Sequence, residues 1–496
     1  MIEAIVKQVH QASIKILKTT GIRIDDVQML ELLEKNGMTL KGKIAFFTEE
    51  DILKAISTAP ENFTLEGRNS PQGNCQIGGD KTHYLAGFGA PYILENNIRR
   101  EAIIDDYIKM AKLVHCKKEI SINGGILVQP ADIPADAFQL ILLYTALLFS
   151  DKPLLGMTGN VKQQSDIMEL LKIAYPGFPL MDRSVIMTLV NTTSPLVLDT
   201  NMLQTLIVCA QHRQPVIISP GPMAGTTGPI SIIGNVALGN AELLAGITCS
   251  QIIAPGSPVV YGLMAPPASM QTCECDSGSP GAVCSAVLGA ALARNYKVPS
   301  RGGAVPNAKE TSVVGGLERM MITMGASNAG VNLMVHAAGL IDRFNCVSPE
   351  QFLIDVDIIR RVEYFKQFFK KDYTDDLSYV DCPEIDQVGT GGNFLTAPNT
   401  IHRCRTEPFF TEINTKSENN SLTENEAVLL NTRKQIDQIL YDYRPPGINS
   451  KVKINMREFL EQRGVSKNIL DHIDTQYDLS RLSTFSPLIG EKTHRN

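Results

Sequence analysis

The chain has 496 residues, 44% of them hydrophobic and 20% charged, with a formal net charge of −6. That composition supplies a large buried core, and its acidic balance offers no basic stripe for nucleic acid. The ten cysteines include no CxxC pair, and Cys273, Cys275 and Cys284 have no histidine nearby to complete a zinc site, so reduced thiols and no metal are expected.

Residues 1–60 carry apolar side chains at helical spacing, with Gly21 and Gly37 as stops. Thr48-Glu-Glu-Asp51 resembles a capping box leading into Ile52–Ile56. No uninterrupted apolar run opens the chain, and none approaches bilayer length, even Leu140–Phe149. The expectation is a cytoplasmic protein without membrane contact. This first segment, residues 1–80, reads as a helical prologue packed on a larger body.

From His83 a unit repeats: a short β-prone run, a loop, an amphipathic helix. The runs are His83–Gly87, Ile120–Val128, Pro153–Met157, Val185–Val190, Pro215–Ser219, Pro258–Leu263, Pro299–Ala304 and Asn332–Ala338. Eight such units in succession predict a TIM (β/α)8 barrel over residues 81–371, favoured over an open doubly wound sheet by their regularity. Residues 372–496 change texture. Asp372–Asp376 is acidic, Thr415–Asn425 is polar, Arg444-Pro-Pro-Gly447 reads as a linker, and Glu426–Tyr441 and Asn455–Arg463 are helix-like. This is a partly helical C-terminal extension over the barrel.

In such a barrel the ligand site lies at the carboxyl ends of the strands. The rim then offers His83, Tyr84 and Phe88, then Gln129, Thr158, Asn160, Asn191 and Thr192. Ser219, Tyr261, Met264, Arg301, Asn307, Lys309 and His336 complete it. Carboxylates are scarce there apart from Glu274 and Asp276, which argues against glycoside hydrolysis. HExxH, GxSxG and Walker A patterns are absent. The Gly221–Pro229 loop reads either as a close-approach loop for a ligand or as a turn with Pro229 opening the next helix. His336 reads equally as a core histidine or a ligand-binding one, and Glu242 as a useful buried carboxylate or an exposed helix charge.

Several stretches, in order, resemble the trimethylamine methyltransferase superfamily, in particular members that lack pyrrolysine. They include Ser194-Pro-Leu196, Ala224-Gly-Thr-Thr-Gly-Pro229, Asn240-Ala-Glu242 and Pro255–Gly262. Later ones are Ser277-Gly-Ser-Pro280, Val298–Gly303, Asn332–Gly339 and Gly392-Asn-Phe-Leu395. The resemblance runs from about residue 8 to about residue 412. It implies a TIM barrel whose carboxyl-end cavity docks a separate corrinoid protein. It also implies methyl transfer from an amine nitrogen to Co(I) of that partner, a homo-oligomer, and no tightly bound cofactor in the chain itself. Aligning Gly339-Leu-Ile-Asp342 with the family places Ala338 at, or within one residue of, the pyrrolysine position, a departure that argues against trimethylamine as substrate.

A quaternary amine leaves as a neutral tertiary amine and needs no special electrophile, so alignment for in-line attack is the protein's task. A tight carboxylate would mainly stabilise the cationic ground state, whereas aromatic faces hold the ammonium with less of that penalty. Tyr84, Phe88 and Tyr261, with Met264 nearby, are the candidates for the ammonium. Arg301, Asn307 and His336, with Asn191 and Ser219, are those for a betaine carboxylate, and Glu242 is the candidate catalytic carboxylate. Glycine betaine is the first choice, with proline betaine, carnitine and γ-butyrobetaine as rivals. A non-catalytic quaternary-amine binder, and a metal-dependent hydrolase using Glu274, Asp276 and His83, are the competing readings.

Overall fold

The computed structural model describes residues 1–69, 73–177, 179–370, 383–413 and 422–482. Its centre is a ring of eight parallel strands. In chain order these are β1 (His83–Ala86), β2 (Ile120–Gly124), β3 (Leu154–Gly156), β4 (Ile186–Asn191), β5 (Val216–Ser219), β6 (Val259–Tyr261), β7 (Arg301–Gly302) and β8 (Leu333–Ala338). They pair in the order β6-β5-β4-β3-β2-β1-β8-β7. A parallel bridge between Tyr261 and Ser300 then joins the two ends, with the Tyr261 N–H donating to the Pro299 carbonyl at 2.8 Å. The predicted runs coincide with all eight strands.

Each strand is followed by a helix: α1 (Ile104–Cys116), α2 (Phe138–Phe149), α3 (Val161–Ala174), α4 (Thr200–Gln211), α5 (Ile232–Ile253), α6 (Pro280–Asn295), α7 (Val313–Asn328) and α8 (Pro349–Lys370). Capping side chains start several of them, where the first N–H groups have no partner of their own. Asn160 accepts from Gln163 N, Asp199 from Met202 N and Ser231 from Gly234 N, and Ser279 caps α6 ahead of Pro280.

Strand side chains alternate between two cores, as the period of two requires. Leu85, Ile122, Leu155, Met187, Ile217, Val260 and Leu333 fill the barrel interior. The hairpin Phe63–Leu65 with Cys75–Ile77 joins this inner core. It sits at the amino ends of the strands, where Glu66 N donates to Ser184 O and His83 Nε2 meets Gln76 O. The second core, between strands and helices, takes the alternate residues, such as Tyr84, Ile218 and Tyr261.

The prologue departs in part from its all-helical reading. Helices Ile2–Thr19, Val27–Lys35 and Glu49–Ile56 are present, and Thr48 and Asp51 close the capping box with bonds of 3.2 and 2.9 Å. Between them run short strands, Ile22–Ile24, Thr39–Lys41 and Ile44–Phe46, and the first pairs in parallel with Val197–Leu198 beyond β4. Three-residue strands with so few apolar positions leave little periodicity to read.

Among the described residues one helix, α5, is long and apolar enough to cross a bilayer, against the expectation that no run would be. It is 83% buried over its apolar window, between the prologue helices and its barrel neighbours, so its hydrophobicity serves the core. Beyond α8, helices Glu424–Asp442, Ser450–Gln462 and Lys467–Leu482 lie against α8, α1, α3 and α2. Contacts across this boundary include Arg433 Nε to Glu350 Oε1 at 2.9 Å, Tyr144 Oη to Asp474 Oδ1 at 2.7 Å and Tyr443 Oη to the Phe149 carbonyl at 2.7 Å. The acidic stretch Asp372–Asp376, the boundary drawn at residue 371 and residues 415–421 of the polar stretch lie outside the described residues.

Candidate active site

At the carboxyl ends of the strands a cavity of about 400 Å³ opens into the barrel mouth, at the small end of the range of about 300–1,000 Å³ usual for ligand sites. Leu189 forms part of its floor, and above it β4, β5, β7 and β8 contribute Asn191, Ser219, Arg301 and His336. Phe88, Met264 and Phe344 enter from the loops after β1, β6 and β8, and Thr192, Pro220 and Gly221 complete the wall. Six of the ten substrate and catalytic candidates meet here, Phe88, Asn191, Ser219, Met264, Arg301 and His336, together with Thr192 of the rim.

Arg301 is the dominant charge. It is 3% exposed, and among the described residues no carboxylate pairs with it. Its Nη1 donates to Ser219 Oγ at 3.3 Å, while Nε is buried without a partner. Burial pushes its pKa down to about 10. A buried cation without a counter-charge is costly, and an anionic group brought by a ligand could offset that cost. No Asp or Glu lines the cavity to compete for it.

His336 stands beside it. Burial, with the charges of Arg301 and Arg319 adding to it, holds its imidazole well below the usual pKa and therefore neutral. Its Nδ1 is buried without a partner. Phe344 meets the ring edge-on at 5.1 Å between centroids, and Phe88 lies at 6.3 Å. The cavity thus places one cationic anchor and one neutral imidazole beside two half-buried aromatic rings and the Met264 thioether.

Four candidates lie elsewhere. Tyr84 and Tyr261 are not cage residues: Leu85 and Val260 take the inward positions on β1 and β6, and alternation turns the tyrosines outward. Tyr84 bonds Ser327 Oγ at 3.0 Å and the Glu363 carboxylate, and Tyr261 donates to Asn240 Oδ1 at 2.7 Å. Asn307 ties neighbouring loops together instead of facing a ligand. Its Nδ2 donates to Asp276 Oδ1 at 2.6 Å, and its Oδ1 accepts from Gly278 N at 3.2 Å.

Glu242, wholly buried on α5, also stays out of the cavity. Its carboxylate accepts from the Thr192 hydroxyl, from Ser194 Oγ at 2.8 Å and from Leu196 N at 2.8 Å. Burial raises its pKa against those three bonds, which lower it. The geometry is that of a bracket for the loop after β4, which delivers Thr192 to the cavity wall. Glu242 thus holds that loop and does not line the cavity.

The hydrolase constellation does not assemble. His83 starts β1 at the amino end of the barrel, whereas Glu274 and Asp276 lie on the loop after β6 at the other end. Among the described residues no group of three or more His, Cys, Asp or Glu is arranged to hold a metal ion. Ala338 packs in the outer core, and the side chain that β8 sends into the cavity is His336.

Phe344 was not legible beforehand. It follows Asp342 and Arg343 in three consecutive left-handed residues, φ 51°, 50° and 75°. Asp342 N bonds Ala308 O at 2.7 Å, Arg343 N bonds Pro306 O at 3.2 Å, and Arg99 pairs with Asp342 at 2.7 Å. These long-range partners hold a conformation disfavoured for side chains of this size. The only local signal is the turn chemistry of Asp342 and Asn345.

Comparison with known proteins agrees with this architecture. The chain is 34% identical over 466 residues to a glycine betaine methyltransferase from Desulfitobacterium hafniense (strain Y51), covering 92% of this chain and 96% of that one. It is 27% identical over 474 residues to a proline betaine:corrinoid methyltransferase from Eubacterium limosum, with the same coverage of each. It is 29% identical over 412 residues to the trimethylamine methyltransferase MttB of Methanosarcina barkeri, covering 79% of this chain and 80% of that one. The crystal structure of the hydroxylamine complex of MtmB superposes with a TM-score of 0.50 at 11% identity, covering 94% of this chain and 93% of that one, a likeness of fold. The family model described as trimethylamine methyltransferase (MTTB) matches residues 1–467. With a barrel closed around a mouth cavity and a match over nearly its whole length, this chain belongs to the trimethylamine methyltransferase (MTTB) family and is a methyltransferase.

Proposed function

We propose that this enzyme removes a methyl group from a small betaine, glycine betaine first, and passes it to Co(I) of a partner corrinoid protein. The observation that carries the reading is Arg301, a buried guanidinium without a counter-charge in the same cavity as Phe88 and Phe344. A zwitterion satisfies both halves of that cavity. Its carboxylate takes Arg301 and Ser219, with His336 as a neutral donor or acceptor alongside, and its trimethylammonium lies against the aromatic faces. Trimethylamine offers nothing to the guanidinium. The betaine-named relatives, each matched over 96% of its length, support the same substrate class.

In the transfer the N–CH₃ bond breaks with its electron pair going to nitrogen, and a Co–CH₃ bond forms from the Co(I) pair. The products are dimethylglycine and methyl-Co(III), and no proton moves. The protein's part is therefore alignment and desolvation. Holding the carboxylate at a fixed anchor points one N-methyl group toward the mouth. A cavity free of carboxylates avoids over-stabilising the ammonium before its charge is lost.

The test is the visible spectrum of Co(I) corrinoid, free and protein-bound, with enzyme and a panel of methylamines and betaines. Conversion to methyl-Co(III) with glycine betaine and not with trimethylamine is the expected result. Turnover of proline betaine, carnitine or γ-butyrobetaine in its place would reassign the substrate within the class. Tight betaine binding without turnover would refute the proposed reaction.

A further inference from the structure

The outer end of β8 breaks the alternation of its own strand. Met334 pairs with Tyr84 and Ala338 with Ala86, so four residues of β8 span two of β1. Val335 faces the barrel interior and His336 faces the cavity, placing two successive side chains on one side, while Ala337 and Ala338 join the outer core. This is a β-bulge. It is built on a left-handed residue, His336 at φ 64°. Gly303 on the neighbouring β7 loop makes room for it, since a Cβ there would collide with the Val335 carbonyl.

What holds the bulge comes from behind. Arg319 on α7 is wholly buried, and its guanidinium donates to three carbonyls: Ala304 at 3.1 Å, His336 at 2.7 Å and Leu340 at 2.9 Å. Asp355 on α8, also wholly buried, pairs with Arg319 Nε at 3.3 Å and accepts from Gly339 N at 2.8 Å and Gln351 Nε2 at 2.8 Å. The two charges thus hold the backbone within the bulge, at His336, and just beyond it, at Gly339 and Leu340.

We propose that Arg319 and Asp355 are positioning residues for methyl transfer, a charged clamp that fixes the β8 bulge and so aims the His336 ring into the substrate cavity. A left-handed histidine in the middle of a strand is strained on its own, and without the clamp β8 would relax toward regular pairing and turn the ring away. The proposal rests on the assignment of His336 to the betaine site.

The experiment is a double-mutant cycle between Arg319→Lys and His336→Ala in the full-length enzyme, read as kcat/KM for glycine betaine. Arg319→Lys keeps the charge opposite Asp355 but loses the fork that reaches three carbonyls. It is expected to lower kcat/KM at least ten-fold in the wild-type background and less than two-fold in the His336→Ala background. Equal losses in both backgrounds, or a loss under two-fold in the first, would overturn the clamp. A silent His336→Ala would instead remove His336 from the substrate site, and with it the consequence claimed for the clamp. Asp355→Asn is the milder second variant and is read in the same cycle with the same limits. Independently of activity, the ring resonance of His336 is assigned by its loss in His336→Ala. It lies in the ring current of Phe344 and is expected to move in both clamp variants; an unmoved resonance with a lowered Tm would make the pair merely structural.

Discussion

Arg301→Met gives the sharpest test because fold and function should respond in opposite directions. In the wild type the drop of the Arg301 pKa from 12.5 to about 10 corresponds to a cost on the order of 3 kcal/mol for keeping the charge in the unliganded barrel. Methionine has a similar length and no polar atom, and among the described residues Ser219 Oγ is the one side-chain partner that the guanidinium has there. Replacing buried ionic groups with apolar side chains is commonly neutral or stabilising by about 1–4 kcal/mol even where the charges are paired. The unliganded variant should therefore melt at the wild-type temperature or a few degrees above it. Binding should fail. Removing one side of a desolvated charge pair costs about 2–5 kcal/mol, or roughly 30- to 5,000-fold in kcat/KM for glycine betaine. The assays are scanning fluorimetry with and without betaine, and corrinoid methylation against substrate concentration. A quaternary amine without a carboxylate, such as tetramethylammonium, should not lose affinity in the variant. A KM for glycine betaine within three-fold of wild type, or an unliganded variant that melts far below wild type, would refute the reasoning.

Three further outcomes follow from the same structure. Glu242→Gln should fold and lose less than ten-fold in kcat/KM, since its carboxylate holds Thr192, Ser194 and Leu196; a loss of about 100-fold or more at unchanged Tm would mark acid–base chemistry instead. Because His336 is held below its usual pKa by burial, the native state binds fewer protons than the unfolded chain below about pH 6.5, so acid should destabilise the fold by up to about 1.4 kcal/mol per pH unit. His83 and His115 are depressed as well, so urea unfolding of His336→Asn beside wild type from pH 5 to 8 isolates the term, and identical slopes would exclude it. Lys152 Nζ donates to the carbonyls of Val114, Lys117 and Ile120 at the amino end of the barrel. Lys152→Met strands three acceptors and should cost about 3 kcal/mol or more, visible as a lower urea midpoint with unchanged KM. Burial lowers the pKa of Lys152 to about 8, so its own contribution strengthens as pH rises from about 8 toward 10.5.

The sequence by itself determined the barrel, because eight apolar runs with intervening helices leave few other ways to bury their surfaces. It also placed the cavity at the carboxyl ends and named Arg301, His336, Phe88, Ser219, Asn191 and Met264 as strand-end or loop residues. It did not determine which way each side chain points. Tyr84 and Tyr261 lie one residue from inward-facing Leu85 and Val260, and in strands of three or four residues the phase of the alternation is set by what packs on either face. His336 shows the same limit from the other side, since a bulge held by Arg319 and Asp355 reverses the phase within a single strand. Glu242 and Asn307 look like site residues in sequence and prove to be loop brackets, because their partners lie on other elements, and Phe344 reaches the cavity only through contacts with β7 loop carbonyls and Arg99. Local pattern decides which elements form; long-range hydrogen bonds and packing decide which face of each element meets the substrate.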